Sequence, residues 1–220
     1  MAFVLLIVAA AVLVGFVARG SLRNFERLTV RWWGIALAGL ALQIPIPARY
    51  GSRWAVGALV ASYVVLIVFV WLNRRLPAAP LILIGLVLNV VVITANGGMP
   101  VSALAIETAG ARGEGLLAGI EGTKHHLMSS DDVLTPLADV IPIPPPAGVI
   151  LSVGDLFIYA GVAAFVIWVM LGRFQESPPP RARLQMYRGK HLPASRRLPK
   201  RRPVRLSALP VGGGRPGTGR

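Results

Sequence analysis

Apolar residues in this chain come in long unbroken blocks, not at the three-and-four spacing of a helix with one wet face. Residues 2–18 are all apolar or glycine. Residues 54–72 carry only Ser62 and Tyr63 as polar members, and residues 80–95 only Asn89 and Thr94. Residues 147–171 include a single acid, Asp155, while residues 32–46 are shorter and interrupted by Gln43 and Pro45. A bilayer core of about 30 Å needs about 20 apolar residues in a helix. The pattern therefore predicts an all-α integral membrane protein with about five transmembrane helices, over 2–18, 32–46, 54–72, 80–95 and 147–171.

Charge decides the weakest of these spans. A cleavable signal peptide would carry its basic residues before the first block, whereas Arg19, Arg23, Arg27 and Arg31 follow it. The first block thus reads as a retained helix with its N-terminus outside. With five spans, the inner segments hold 19 basic residues and the outer ones 4 (Arg49, Arg53, Arg112 and Lys124). That asymmetry is the positive-inside signature of a multi-pass protein with a cytoplasmic C-terminus. Omitting span 32–46 would put either the basic tail or six loop arginines outside, so five spans are expected.

Between the last two spans lies the long loop 96–146, placed outside, with six of the nine acids. Its leucines and glycines suggest one or two short helices on the outer membrane surface. Thr135 before Pro136 reads as an N-cap with proline at the first helical position. Leu127, Met128, Leu134, Leu137, Val140 and Ile141 are too apolar to be solvated together, so the loop should pack back onto the helix ends. Residues 1–172 thus form the transmembrane domain. Residues 173–220 form a tail with thirteen basic residues, one acid and eight prolines, a composition that predicts disorder.

Overall composition sharpens this picture in three ways. The chain is 55% hydrophobic, 15% charged and +14 in net charge. It has no cysteine, which excludes disulfides, thiolate metal sites and a cysteine nucleophile. Arginine far outnumbers lysine, and with the abundance of alanine, glycine, valine and proline this suggests a GC-rich genome; the membrane expected is a bacterial plasma membrane.

Polar groups within apolar spans are costly and so invite a functional reading. Asn89 and Asn96 fall on the helical face that Gly85 occupies, either lining a path or bonding to a neighbouring helix. Packing is the more economical role. Asp155 is either a buried ligand group or a first-turn residue of a helix that starts near Ser152, and the Ser-Val-Gly-Asp run favours the second. His125 and His126 are adjacent, not at helical metal-ligand spacing, and with Asp139 form no recognisable zinc pattern. The candidate polar cluster is therefore Asn89, Asn96, Asp139, Asp155 and His125, with no catalytic, cofactor or metal assignment. The basic tail is expected to meet anionic lipid headgroups. Its lack of interleaved aromatics beyond Tyr187 argues against specific nucleic-acid binding.

Several short runs, read in order, resemble a known family. They are Gly85-Leu86-Val87-Leu88-Asn89, Asn96-Gly97-Gly98-Met99-Pro100-Val101-Ser102, Lys124-His125, Leu137-Ala138-Asp139-Val140-Ile141-Pro142 and Ser152-Val153-Gly154-Asp155. Together the chain over about 1–172 resembles a family of small bacterial integral membrane proteins of unknown function. The resemblance implies a polytopic membrane protein and singles out Asn89, Asn96, Asp139 and Asp155, without giving them roles. No cofactor is expected, and an enzyme is the less favoured reading. A non-catalytic membrane assembly component comes first, with a small transporter or channel subunit and a membrane enzyme on lipid-linked substrates as alternatives. Membrane proteins are the partners this implies.

Overall fold

The computed structural model describes residues 2–43, 52–110 and 124–174. The tail beyond Phe174, with the disorder expected of it, lies outside the described residues, as do 44–51 and 111–123. The described part is mostly helical: α1 (Ala2–Val17), α2 (Trp33–Ala41), α3 (Ser52–Leu72), α4 (Ala79–Asn96), α5 (Ala103–Ala109) and α6 (Val153–Met170). Three of these, α3, α4 and α6, are long and apolar enough to cross a membrane. The helix α1 is shorter, and α2 rises only about 14 Å over its nine residues.

The helices pack side by side in the order α2, α3, α4, α6, α1. Gly39 of α2 sits against Leu66 of α3, and Gly85 of α4 against Gly154 and Ile158 of α6. At one end of α1, Phe3 meets Tyr159 edge-on, and at the other Gly15 meets Met170, so α1 and α6 run parallel. The turns at one end of the bundle are tied together by side-chain amides. Asn24 donates to the Met170 carbonyl at 2.7 Å, and Asn73 exchanges two 2.9 Å bonds with the Arg31 backbone. Arg19, Arg23, Arg27, Arg31, Arg74, Arg75 and Arg173 all belong to these turns and their flanks.

The opposite end carries a small cap built from the long loop. Strand β1 (Met99–Val101) pairs in parallel with β2 (His125–Leu127), and its Val101 forms a further parallel bridge with Asp139. Strands β3 (Ile141–Ile143) and β4 (Val149–Leu151) pair antiparallel, and α5 packs on them. Met99 and Ala138 of the cap are buried with Leu59, Val92 and Ile93 of α3 and α4, and Met128 and Leu137 pack against that group. Leu127 and Leu134 stay exposed.

Local sequence explains where the segments break. Pro80 stands in the first turn of α4, where no backbone N–H is needed, and Gly97 ends the helix at φ +66°. Of the one or two short helices expected of the loop, α5 is the one α-helix among its described residues and carries Leu104, whereas Leu116, Leu117 and Ile120 lie outside them; the short strands are additional. The last helix starts at Val153, not at 147, because 149–151 pair as β4 and Ser152 caps the helix behind it. Thr135 is not a helix cap. It lies within a three-residue 3-10 turn, Thr135–Leu137, that Leu134 enters at φ +58°.

Candidate functional site

The contact between α4 and α6 is close because glycine faces glycine. A Cβ on Gly154 would stand 2.7 Å from the Gly85 carbonyl oxygen and collide with the Asn89 side chain. With both side chains absent, Asn89, one turn after Gly85, reaches directly under the first turn of α6. It is 1% exposed, and its amide is fully used. Nδ2 donates to Asp155 Oδ1 at 2.9 Å and to the Tyr63 hydroxyl at 3.3 Å, while Oδ1 accepts from Ser152 Oγ at 2.9 Å. One side chain thus joins α3, α4 and α6.

The other half of this assembly is a helix cap. Ser152 Oγ accepts from the Asp155 N–H at 3.0 Å, and Asp155 Oδ2 accepts from the Ser152 N–H at 3.1 Å. This reciprocal pair satisfies two backbone donors that a helix start leaves open. Asp155 also brings negative charge to the positive end of the helix dipole. Ser62 of α3 is fully buried, and its hydroxyl has no hydrogen-bond partner among the described residues.

At the cap edge the polar groups are less well served. Strand β2 and the bridge at Asp139 flank β1 on either side, which brings His125 Nε2 to 3.8 Å from Asp139 Oδ2. That distance is too long for a hydrogen bond. Burial, and then the nearby Asp155 carboxylate, push the Asp139 carboxyl up to about 8. Burial holds the His125 imidazole below its ordinary value, against the pull of Asp155. Both directions favour the uncharged forms, so near neutral pH the pair keeps its proton on the carboxyl. The arrangement can take up or give away one proton at a part-exposed edge. Lys124 donates to the Gln43 carbonyl, and burial lowers its ammonium.

His126 and Asp132 form a separate pair, 2.9 Å apart. Burial raises Asp132, but the Ser129 N–H at 2.7 Å and His126 outweigh it, and the net shift is downward. Among the described residues, no three His, Asp or Glu side chains gather as a metal-ligand set.

Of the five residues expected to cluster, Asn89 and Asp155 are bonded directly, and Asp139 and His125 form the adjoining pair. Asn96 stands apart. Its amide clamps the Val133 backbone at 3.0 and 2.8 Å, holding the cap to the end of α4. Sequence reasoning identifies Ser152 only as a cap and gives Tyr63 no role. The one signal for Tyr63 is a hydroxyl inside an otherwise apolar span.

Residues 23–167 match the family of unknown function DUF5317, and the chain belongs to that family. An uncharacterized protein of Thermotoga maritima is 36% identical over 120 residues, 53% of this chain. The match spans 66% of that protein's length, just under two thirds. No solved structure matches.

Proposed function

We propose that this chain is a five-span protein of a bacterial plasma membrane, with its N-terminus outside and its basic tail in the cytoplasm. In this reading it serves as a non-catalytic assembly or scaffold component. Support for the membrane comes first from what the helices leave uncovered. Leu5, Leu13, Leu37 and Val64 are exposed on helices that hold almost no surface charge. All five tryptophans are exposed, including Trp54 at 70%. Trp32, Trp33, Trp71 and Trp168 lie at the arginine-rich end and Trp54 at the cap end, as interfacial aromatics would. Reporter fusions after Arg31, Leu76, Ile120 and Leu184 test the topology, and an outside signal at Leu184 would sink it.

The observation that carries the assembly reading is the use of Asn89. A residue lining a transport path needs a free polar atom, whereas this amide is spent on Tyr63, Ser152 and Asp155. The tail binds anionic headgroups through its basic residues, each contributing about 1 kcal/mol near the surface. Crosslinking in native membranes should recover a defined membrane-protein partner, and no discrete product would count against a scaffold. One observation favours a second reading. The protonated Asp139 beside an uncharged His125 is suited to acid–base chemistry on a lipid-linked substrate at the outer face. If His125→Gln abolishes function at normal protein level, that reading replaces the first.

A further inference from the structure

The turn after α3 and the end of α6 enclose a shallow cleft of about 390 Å³ lined by Arg75, Pro77, Arg173 and Phe174. Both arginines stand on fixed backbone. Arg173 follows Gly172, at φ +70°, in a Schellman motif: its N–H donates to the Trp168 carbonyl at 2.8 Å, and that of Gly172 to Val169 at 2.9 Å. Arg75 lies in a turn closed by the Leu76 N–H on the Asn73 carbonyl, with Asn73 itself bonded to the Arg31 backbone. Neighbouring Arg74 is engaged over the Trp71 ring at 5.0 Å. Among the described residues, Asp139 and Asp132 pair with histidines at the far end, and Arg75 and Arg173 have no acid partner.

We propose that this cleft binds the phosphate of an anionic phospholipid headgroup, a site that rests on the membrane reading above. Two guanidinium groups brought together without a counter-charge repel each other, and a phosphate between them accepts several charge-assisted hydrogen bonds. The apolar walls point to a lipid over a free ion. Pro77 is buried and Phe174 half-buried, and exposed Trp71 and Trp168 stand at the same end of the bundle. A headgroup can place its glycerol and first methylenes on such walls, whereas inorganic phosphate gains nothing from them.

Native mass spectrometry of the full chain in detergent, titrated with phosphatidylglycerol or phosphatidylcholine, tests the site. Phosphatidylglycerol should be retained in preference, and Arg75→Gln/Arg173→Gln should weaken it roughly 30-fold. Arg19→Gln/Arg23→Gln removes the same charge elsewhere and should change affinity less than about threefold. Equal weakening by both double variants, equal retention of phosphatidylcholine, or displacement by excess inorganic phosphate would each overturn the proposal. The fusion at Leu184 reads orientation independently, so a failed membrane reading and a failed lipid site give different results.

Discussion

Asn89 and Asp139 are both buried polar groups at the cap end of the bundle, 1% and 6% exposed, yet their surroundings differ in kind. Asn89 sits on rigid helix, one turn after Gly85 and opposite Gly154, and each of its polar atoms is bonded. Asp139 sits at the edge of a three-residue strand, and His125 Nε2 stands 3.8 Å from its carboxyl, beyond hydrogen-bond reach. A helical seam can place a side chain to within a hydrogen bond because backbone and packing fix it on both sides. A strand edge in a small cap fixes it less closely and leaves a proton to do the balancing. The seam therefore reads as structure, and the cap edge as the place where chemistry or regulation can occur.

Breaking the seam should have the largest effect. An intramembrane hydrogen bond averages only about 0.6 kcal/mol, so three bonds alone would contribute about 2 kcal/mol. Asn89→Ala also strands Asp155 Oδ1 and the Tyr63 hydroxyl, which brings the expected loss to roughly 2–4 kcal/mol. Thermal unfolding in detergent and protein level in membranes should both fall. Gly154→Leu should be as damaging for a different reason, since its Cβ already meets Gly85 and Asn89. An Asn89→Ala protein of unchanged stability would remove the contrast with Asp139 altogether.

The seam is the more legible of the two in the sequence. Gly85, Asn89 and the Ser-Val-Gly-Asp run can be placed on helices because apolar blocks and cap residues are local signals. The capped start at Val153 follows from four consecutive residues. The cap edge is not legible in this way. Strands of three residues, two of them centred on Pro100 and Pro142, show no alternation to read. The pairing of Met99 with His125 joins residues far apart in the chain. Sequence alone therefore offers His125 and Asp139 only as polar residues of one loop. Helical spacing groups Asn96 with Asn89, but lying at the last residue of α4 it turns to the cap backbone instead.

Within the seam, Ser152→Ala should have a smaller effect than Asn89→Ala. It removes a helix cap, about 1 kcal/mol, and leaves Asn89 Oδ1 without its donor. The expected loss is about 1–2 kcal/mol, read as a lower unfolding temperature. Ser152→Asp preserves the cap but sets a second carboxylate against Asp155, so it should not rescue. Full rescue would mean that the cap alone matters and that the bond to Asn89 contributes nothing.

The last effect belongs to Asp139: it vanishes below about pH 4 and grows with pH, and that dependence distinguishes it from the seam. Its carboxyl is raised from 3.8 to about 8, so the folded cap holds a proton that the unfolded chain has already released. Stability is therefore greatest at low pH and declines as pH rises from about 4 to about 8, by at most about 1.4 kcal/mol per pH unit. His125 acts the other way, because its folded value lies below 6.5 and stability is lost as pH falls through that region. Lys124, also lowered, gains stability for the fold only as pH approaches 10.5. Asp155 and His126 are the other ionisable groups that face this pair. Between pH 6.5 and 8 Asp139 then outweighs the others, and the cap should loosen over that interval. Amide exchange of residues 124–143 in detergent, followed against pH, reads this directly. Asp139→Asn should be nearly neutral below about pH 4, where folded and unfolded chains both hold the proton, should become stabilising as pH rises, and should flatten the slope up to pH 8. An unchanged slope in that variant would show that the proton is held elsewhere, and the cap edge would then differ from the seam only in geometry.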